Sequence, residues 1–285
     1  MAMYGATSGD IAASKIKGAI NQAILCIRTK QNKKFIESVW NKHVSKNLRK
    51  YLQGGQGNLS ADIVKGISFF FPTLKEQEKI ANLVSLLDER IATQNKIIDK
   101  LQSLIKGIRH DIFKDIQGEM LALSNIADIY QPQTISSSDL TTEGYWVYGA
   151  NGVIGKYKEY NHETEQICIT CRGNTCGTVN YTQPKVWITG NSMVINTDKY
   201  QRQVNKRFLF HYLSAYNFKS IVSGSGQPQI VRTPLEKIKV TLPSIEKQVQ
   251  IAHGIDLILT KIETECTVLG FLESQKQYLL RQMFI

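Results

Sequence analysis

The sequence predicts an α+β fold that combines a β-rich globular module with two long helices packed as an antiparallel coiled coil. Three observations support this prediction. The phrase "FPTLKEQEKIA" at residues 71–81 returns as "LPSIEKQVQIA" at residues 242–252. Each phrase begins a long segment whose apolar residues have helical spacing. The residues between these segments contain short β-forming runs separated by Gly and Asn.

The repeat extends well beyond this phrase. With an offset of 171, residues 55–113 align without a gap against residues 226–284, and 13 of the 59 pairs are identical. Upstream, "YGATSGDI" resembles "RGNTCGTV", and "NQAILCI" resembles "NSMVINT". Repeated sequence predicts repeated architecture. Since residues 118–168 have no earlier counterpart, we expect the first copy to lack its opening part and the chain to be truncated at its amino terminus.

The repeat divides the chain into four segments. We expect residues 1–72 to form the latter part of a first module and residues 73–117 to form the first long helix. Residues 118–243 would then form a complete second module, and residues 244–285 the second long helix. If the first module lacks strands, it would expose unpaired edges. It would then be mispacked or be completed by another copy.

Both long segments have apolar residues at alternating steps of three and four, which is the spacing of a coiled-coil seam. Eight of nine seam positions are apolar in the first segment, and seven of nine in the second. We expect the seams to bury each other, with Gln94, Glu265 and Lys276 as polar interruptions that could fix the register; the alternative is that each helix packs only on its own module. The apolar seam residues, which also count as candidates for partner docking, are Val84, Leu87, Ile91, Ile98, Leu101, Ile105 and Ile108 in the first helix and Ile255, Ile258, Ile262, Leu269, Leu272 and Leu279 in the second.

The second module has recognisable local elements. A helix is predicted over residues 204–219 with Phe208, Leu209, Tyr212 and Leu213 facing inward. Strands are predicted in "EQICITCRG", "GTVNYT", "VWITGNSMVIN" and "KIKVTLP", and an exposed loop in "SGSGQPQIVR", where Gly and Pro prevent regular structure.

Composition indicates a globular, intracellular chain. Hydrophobic residues make up 42% of the 285 residues, which is typical of a folded protein. No apolar run approaches the ~18 residues that span a bilayer, and the first residues do not resemble a signal peptide. We therefore expect a cytoplasmic protein without membrane contact. Five cysteines, an odd number, favour reduced thiols over disulfides.

The charge is strongly basic, with a net value of +11. Residues 1–72 hold 11 basic and 3 acidic side chains, and residues 118–243 hold 12 and 9, whereas the helical segments are nearly neutral. Such a balance favours a partner rich in phosphate, such as nucleic acid. Ordinary solubility explains it equally well.

The loops of residues 118–243 carry side chains suited to DNA. Asn and Gln can bind adenine bidentately and Arg can bind guanine, while Lys suits phosphates. The alternative is that the Asn and Gly residues merely form turns. The candidate DNA-binding residues are Tyr148, Asn151, Lys156, Lys158, Arg172, Asn174, Thr175, Lys185, Gln227, Gln229 and Arg232.

Patterns typical of catalysis or metal binding are weak. Cys168, Cys171 and Cys176 have the spacing C-x2-C-x4-C, but no fourth zinc ligand lies close in sequence. In a strand, positions 168 and 171 would also face opposite sides, which favours free thiols. There is no phosphate-binding loop of the form G-x4-G-K-[ST], and the five histidines are scattered. We interpret the chain as a binding protein without catalytic residues or a bound metal.

The repeated arrangement resembles the specificity subunit of type I restriction–modification systems. The likeness lies in the two phrases above and in the helices that follow them to "DIF" and "QMF". It also lies in "VYGANGVIGKY", "CRGNTCGTV", "WITGNSMVI" and "GSGQPQIVR". The resemblance implies two target-recognition domains, each reading one half of a split double-stranded DNA sequence. It also implies an antiparallel helical spacer that docks modification subunits, which carry S-adenosylmethionine and methylate adenine. Restriction subunits then join that core.

The resemblance therefore implies that residues 118–243 read one half-site and that this chain itself needs no cofactor. A second hypothesis is an interaction protein that does not read DNA and either self-associates through its helices or sequesters modification subunits. A third is a zinc-dependent enzyme built on the cysteine triplet.

Overall fold

The structure is a computed structural model that describes residues 1–51, 58–150, 152–224 and 226–283. It divides into two compact units, one of Met1–Lys100 with Glu263–Ile285 and one of Leu101–Ile262. The predicted α+β class with two long helices is confirmed. None of the helices in the described ranges combines the length and the apolar character that crossing a membrane requires.

Six α-helices occur in the described part of the chain. They are α1 (Lys33–Tyr51), α2 (Ala61–Lys65), α3 (Leu74–Lys114), α4 (Lys206–Ala215), α5 (Arg232–Glu236) and α6 (Ile245–Met283). The two long helices, α3 and α6, contain 41 and 39 residues and begin two residues after Pro72 and Pro243.

The nine described strands all belong to the second unit. They are β1 (Glu119–Ala122), β2 (Asp128–Tyr130), β3 (Tyr145–Gly149), β4 (Gly152–Tyr157), β5 (Ile167–Thr170), β6 (Val179–Tyr181), β7 (Trp187–Ile188), β8 (Ser192–Asn196) and β9 (Lys239–Leu242). They form an antiparallel four-stranded sheet in the order β2-β8-β5-β6, a three-stranded sheet in the order β4-β3-β7, and the antiparallel pair β1-β9.

Strand β5 separates two apolar clusters because neighbouring side chains of a strand point to opposite faces. Ile167 and Ile169 belong to the main core, which includes Phe208 and Leu209 of α4. Cys168 faces the other way, into a smaller cluster with residues of β3, β7 and β8. The four-stranded sheet is thus buried on both faces along β5.

Helix α4 is shorter than the predicted 204–219, since it ends at Ala215. His211 is fully buried, whereas Tyr212, which was predicted to face inward, is only half-buried. The reason is a polar network. The Arg109 guanidinium donates to His211 Nδ1 at 2.9 Å, and His211 Nε2 donates to Asp256 Oδ1 at 2.8 Å. His211 therefore links α4 to both long helices within the second unit.

In the first unit, α3 and α6 run antiparallel and bury their seams against each other. Gln94 Nε2 donates to the Glu265 carbonyl at 3.0 Å, and Lys276 Nζ lies 2.5 Å from Asp88 Oδ1. The higher-numbered α6 residue thus meets the lower-numbered α3 residue. All three predicted polar interruptions make contacts across the seam, which favours a single register.

Every predicted seam residue is buried or half-buried. Those with the least exposure are Val84, Leu87, Ile98, Ile105, Ile255 and Leu272. Near the end of α6 the sequence pattern missed one residue, because Leu280 is more deeply buried than the predicted Leu279. Leu280 packs with Phe35 and Val39 of α1.

A buried glutamine joins the start of α6 to the start of α4. Gln248 Oε1 accepts from the Asn205 N–H at 2.8 Å. Its Nε2 donates to the carbonyls of Pro243 and Gln203 at 2.9 and 3.0 Å. The Asn205 side chain in turn accepts from the Phe208 N–H at 2.9 Å and caps α4.

The first unit repeats most of this arrangement, except that the second bond of Gln77 Nε2 goes to Gln31 Oε1 and not to a backbone carbonyl. Gln77 Oε1 accepts from the Asn32 N–H at 3.1 Å, and Gln77 Nε2 donates to the Pro72 carbonyl at 2.9 Å. The Asn32 side chain accepts from the Phe35 N–H at 3.0 Å. The sequence comparison missed the match between "NKKF" at 32–35 and "NKRF" at 205–208, because its offset is 173 and not 171.

Replacing Gln248 by Ala is expected to lower the free energy of unfolding by about 1–3 kcal/mol, because a buried N–H and two carbonyls lose their partner. Gln250→Ala on the exposed face of the same helix is the matched control and should change stability by less than about 0.5 kcal/mol. Urea unfolding monitored by circular dichroism measures both. Equal effects of the two substitutions would contradict this role for Gln248.

Candidate nucleic-acid interface

Three of the predicted residues line one cleft of the second unit. Arg172, Gln229 and Arg232 surround a space of about 380 Å³, together with Tyr130 and Gln131. Arg172 and Gln229 are exposed, and Arg172 has no ion pair among the described residues. The Arg232 guanidinium donates to Glu236 at 2.7 Å, in an exposed pair one helical turn apart. The cleft therefore offers two arginines and the exposed Gln229 amide, which are groups that bidentate base recognition uses.

Two loops form this cleft, and backbone hydrogen bonds hold them together. Arg172 and Gln229 are antiparallel bridge partners. The Gly173 N–H donates to the Pro228 carbonyl at 2.9 Å, and the Ile230 N–H donates to the Cys171 carbonyl at 3.0 Å. These bonds fix the spacing between the Arg172 loop and the Gln229 loop.

The Gln229 loop is itself closed by a pair of backbone bonds. The N–H of Ser223 donates to the Gln229 carbonyl and the N–H of Gln229 donates to the Ser223 carbonyl, both at 2.8 Å. Gln227 lies at the exposed end of this loop. It is therefore presented to solvent on a braced turn.

The Arg172 loop depends on glycine. Gly173 and Gly177 have φ angles of 81° and 90°, which side-chain-bearing residues rarely adopt. A Cβ on Gly177 would also lie 3.0 Å from Phe218 Cβ. The corresponding loop of the first unit has the same conformation, with φ angles of 75° and 91° at Gly5 and Gly9.

The tip between β3 and β4 is tied to the Arg172 loop. The hydroxyls of Thr170 and Thr175 both donate to the Ala150 carbonyl, at 2.6 and 3.2 Å. The predicted residue Thr175 thus has a structural bond, while the neighbouring Asn174 is exposed. Asn151, also predicted, lies outside the described residues.

Tyr148 differs from the expectation for a DNA-binding residue. Its side chain is 9% exposed and packs in the cluster with Cys168, Val186 and Ile188. The ring is enclosed because it packs against Cys168 of β5 and Val194 of β8, which belong to the four-stranded sheet. Tyr148 therefore supports the sheet and does not present its ring at the surface.

The three predicted lysines lie apart from the cleft. Lys156 of β4 lies over the Trp146 ring, with Nζ 4.8 Å from the ring centroid. Lys158 and Lys185 follow β4 and precede β7, at the end of the three-stranded sheet opposite the tip. Lys158 pairs with Glu159 and Lys185 with Glu163, each at 3.7 Å. These carboxylates offset the positive charge at that end.

The cysteine triplet does not converge. Cys168 and Cys171 belong to the clusters on opposite sides of β5, as expected for their spacing. Burial raises the pKa of the Cys168 thiol to about 12, so this thiol is protonated at neutral pH. Within the described ranges, no three His, Cys, Asp or Glu side chains are grouped as metal ligands.

A buried histidine supports the wall of the cleft through Tyr130. The Tyr130 hydroxyl donates to His162 Nε2 at 2.9 Å, and His162 Nδ1 donates to Asn161 Oδ1 at 2.6 Å. Burial lowers the pKa of His162 to about 4. Burial, followed by the neighbouring Arg109 guanidinium, likewise lowers the pKa of His211 to about 4. Both rings are therefore neutral at pH 7.

A second candidate surface lies on the helix pair of the first unit. Large apolar side chains that immediately precede seam residues are exposed, among them Leu86, Phe271 and Tyr278, at 64%, 71% and 61%. Residues that follow seam positions, such as Asp88 and Leu280, instead contact α1. Because the helices are antiparallel, residues that precede the seam on either helix lie on the same side of the pair. We call this side, with Leu83, Leu86, Ile97, Phe271 and Tyr278, the open face.

The comparisons with known proteins identify the family. The family model for the type I restriction modification DNA specificity domain matches residues 1–103 and 111–270. The chain belongs to this family.

Curated relatives of the specificity domain family include two type I specificity subunits. The EcoprrI subunit of Escherichia coli is 29% identical over 147 residues, which are 50% of this chain and 36% of the relative. The MjaVIII subunit of Methanocaldococcus jannaschii is 25% identical over 313 residues, covering 91% of this chain and 71% of the relative. The chain thus spans about a third of the E. coli subunit.

A solved structure shows the same fold. The S subunit of a type I restriction–modification system from M. genitalium matches with a TM-score of 0.67 and 20% identity, covering 88% of this chain and 72% of that one. This likeness concerns the fold of the specificity domain family, including the two long helices.

Lowering the pH from 6.5 to 5 is expected to decrease the free energy of unfolding by about 1–2 kcal/mol for each of His162 and His211, since one pKa unit corresponds to about 1.4 kcal/mol. The unfolded chain binds a proton below the ordinary pKa of 6.5, while the folded rings stay neutral down to about 4. The contribution of the two neutral histidines to the free energy of unfolding is therefore fully present above pH 6.5 and is lost as the pH falls.

Chemical unfolding across this pH range tests the prediction. His162→Gln and His211→Gln should each make the free energy of unfolding less dependent on pH between 6.5 and 5. His110→Gln, on an exposed residue of α3, is the control and should not. A wild-type profile that is flat over this interval would refute it.

Proposed function

We propose that the second unit reads one half of a split DNA sequence for a type I restriction–modification complex. The observation that carries this proposal is the cleft in which Arg172, Gln229 and Arg232 converge. A guanidinium can donate two hydrogen bonds to guanine, and an amide can pair with adenine in the same way. Because both cleft loops are braced by backbone bonds, these groups are positioned before DNA arrives, which lowers the entropic cost of binding.

Reading is assigned to the second unit because the first has different chemistry at the same positions. The repeat places Tyr4 opposite Arg172, Ala6 opposite Asn174 and Ala61 opposite Arg232. The loop of the first unit keeps its glycine geometry, but it has neither arginine. This difference favours one reading site in the chain.

The chain has no catalytic step in this proposal. Methylation of adenine, with S-adenosylmethionine, takes place on modification subunits, and restriction subunits join through them. This assignment rests on the family and on the absence of a grouped nucleophile, base or metal ligand among the candidate residues. The chain contributes recognition and assembly.

The modification subunit docks on the open face of the helix pair. The seam residues predicted for docking are enclosed between α3 and α6, so they are unavailable to a partner. Phe271 and Tyr278 are two turns apart on α6 and are mostly exposed, and aromatic side chains often dominate binding energy at interfaces. Arg90 and Lys100 lie on the same side, which favours a partner with acidic residues over a second copy of this basic chain.

Selection from randomised duplex DNA by the full chain tests the reading function. One half-site sequence is expected to be enriched. Arg172→Gln should weaken binding to that sequence by roughly 5- to 150-fold, because a bidentate pair contributes about 1–3 kcal/mol of discrimination, and it should relax the preference at one position.

Arg202→Gln removes the same charge at an exposed position outside the cleft and serves as the control for simple electrostatics. Circular dichroism establishes that each variant is folded. The proposal fails if the folded wild-type chain enriches no sequence.

The double substitution Phe271→Ala and Tyr278→Ala is expected to weaken binding of a type I modification subunit by roughly 30-fold or more, because even one aromatic anchor of this kind is worth about 2 kcal/mol or more. Titration calorimetry measures the affinity. Glu273→Ala with Gln277→Ala, on residues of α6 that follow seam positions, is the matched control.

The interaction hypothesis without DNA reading gives a different pattern. Sedimentation of the chain alone would then show self-association that the Phe271 and Tyr278 substitutions abolish. Unchanged affinity of the double variant for the modification subunit would remove the open face as its docking site.

A further inference from the structure

The ribbon formed by β3 and β4 carries an exposed tryptophan that the proposed reading site does not use. Trp146 is 42% exposed, whereas Trp40 and Trp187 are 3% and 8% exposed. Val153 and Ile154 of β4, an edge strand of its sheet, are also exposed. Exposed apolar surface of this kind often marks a binding site.

Lys156 gives this surface a positive charge. Trp146 and Lys156 are direct cross-strand partners, and the ammonium lies 4.8 Å from the centroid of the indole. Lys156 has no ion pair among the described residues, unlike Lys158 and Lys185, which lie at the same end of the sheet. A cation over an exposed indole is attracted by the negative face of the ring, so the pair presents apolar surface and charge together.

Around Trp146 and Lys156 the sheet is two-stranded, because β3 pairs with β7 only at Val147 and Tyr148. The major groove of B-DNA is about 12 Å wide and admits a two-stranded β-ribbon. There an indole can contact thymine methyl groups and deoxyribose, while an ammonium reaches a phosphate. Carboxylates are absent from β3 and β4 themselves, and the nearby Glu159 and Glu163 are paired with Lys158 and Lys185. Lys156 therefore keeps its positive charge unpaired, which favours DNA over a basic protein surface.

The ribbon is fixed relative to the reading loop. The hydroxyls of Thr170 and Thr175 hold Ala150 at its tip, and Ser192 Oγ donates to the Gly149 carbonyl at 3.1 Å. Trp146 lies four residues before Ala150, a distance of about 13 Å along a strand. This corresponds to about four base pairs, at about 3.4 Å each.

We propose that Trp146 and Lys156 form a further DNA contact, in which the β3–β4 ribbon enters the major groove about four base pairs from the bases read by Arg172. The proposal rests on the proposed function of the second unit. It adds a specificity-determining residue, Trp146, which favours thymine through apolar contact with the methyl group. Lys156 adds a phosphate contact that does not depend on sequence.

Binding to the duplex selected by the wild-type chain tests the ribbon. Trp146→Ala is expected to weaken binding about tenfold and to abolish a thymine preference about four base pairs from the position relaxed by Arg172→Gln. Lys156→Gln should keep the base preference and reduce the slope of log K against log salt by about 0.9. Trp187→Phe, at a buried position, is the control and should bind like the wild type.

Fluorescence provides a second measurement. The difference between wild type and Trp146→Phe reports Trp146 alone, and its emission should be quenched by the selected duplex. If the wild type binds specifically and Trp146→Ala binds within twofold of it with the same base preferences, the proposed ribbon contact is wrong. The proposal that the cleft reads DNA is then unaffected. If the wild type selects no sequence, both proposals fail.

Discussion

The seam between α3 and α6 is the contact on which the arrangement of the first unit depends. Its apolar positions repeat every three to four residues. If every seam position were apolar, α3 and α6 could pack in several registers. The Gln94 amide meets the Glu265 carbonyl in only one of them, and a buried amide without a partner would cost about 1–3 kcal/mol. Once that register is set, Asp88 reaches both Lys276 of α6 and Lys34 of α1, at 2.5 and 2.8 Å. The short helix is thereby attached to the pair.

The second unit solves the same packing problem with different side chains. Arg207 of α4 takes the place of Lys34 and pairs with Asp256 of α6, while Arg109 of α3 approaches through His211. In both units a carboxylate on one long helix pairs with a cation of the short helix. Asp88 also pairs directly with Lys276 of the other long helix, whereas Asp256 reaches Arg109 only through His211 of the short helix. A neutral His211 makes this possible in the second unit, because its two ring nitrogens can accept from Arg109 and donate to Asp256.

The long helices and most strands of the second unit could be predicted from the sequence, whereas the orientation of individual side chains could not. The helices were predictable because their periodicity lasts more than four heptads, and β5 to β9 because they are β-rich runs bounded by Gly, Asn or Pro. Strands β1 and β2 have only four and three residues, and the burial of β3 and β4 does not alternate along the strand. Tyr148 is buried while Trp146 is exposed, although alternation places both on one face of β3. The difference arises because Tyr148 packs against Cys168 and Val194 of the four-stranded sheet. The carboxylate partner of Lys185 could be inferred only from the folded sheet, since Glu163 is distant from it in sequence.

The two copies of the repeated loop have the same backbone conformation but different side chains. Both copies keep the paired glycines, the capping asparagine and the buried glutamine, with hydrogen bonds of nearly equal length. The side chains at the loop ends differ completely, with Tyr4 and Ala61 in one copy and Arg172 and Arg232 in the other. Backbone shape here is thus independent of what the loop displays. Since the loop backbone does not depend on these side chains, two or three substitutions at the loop ends can change the target while the fold stays the same.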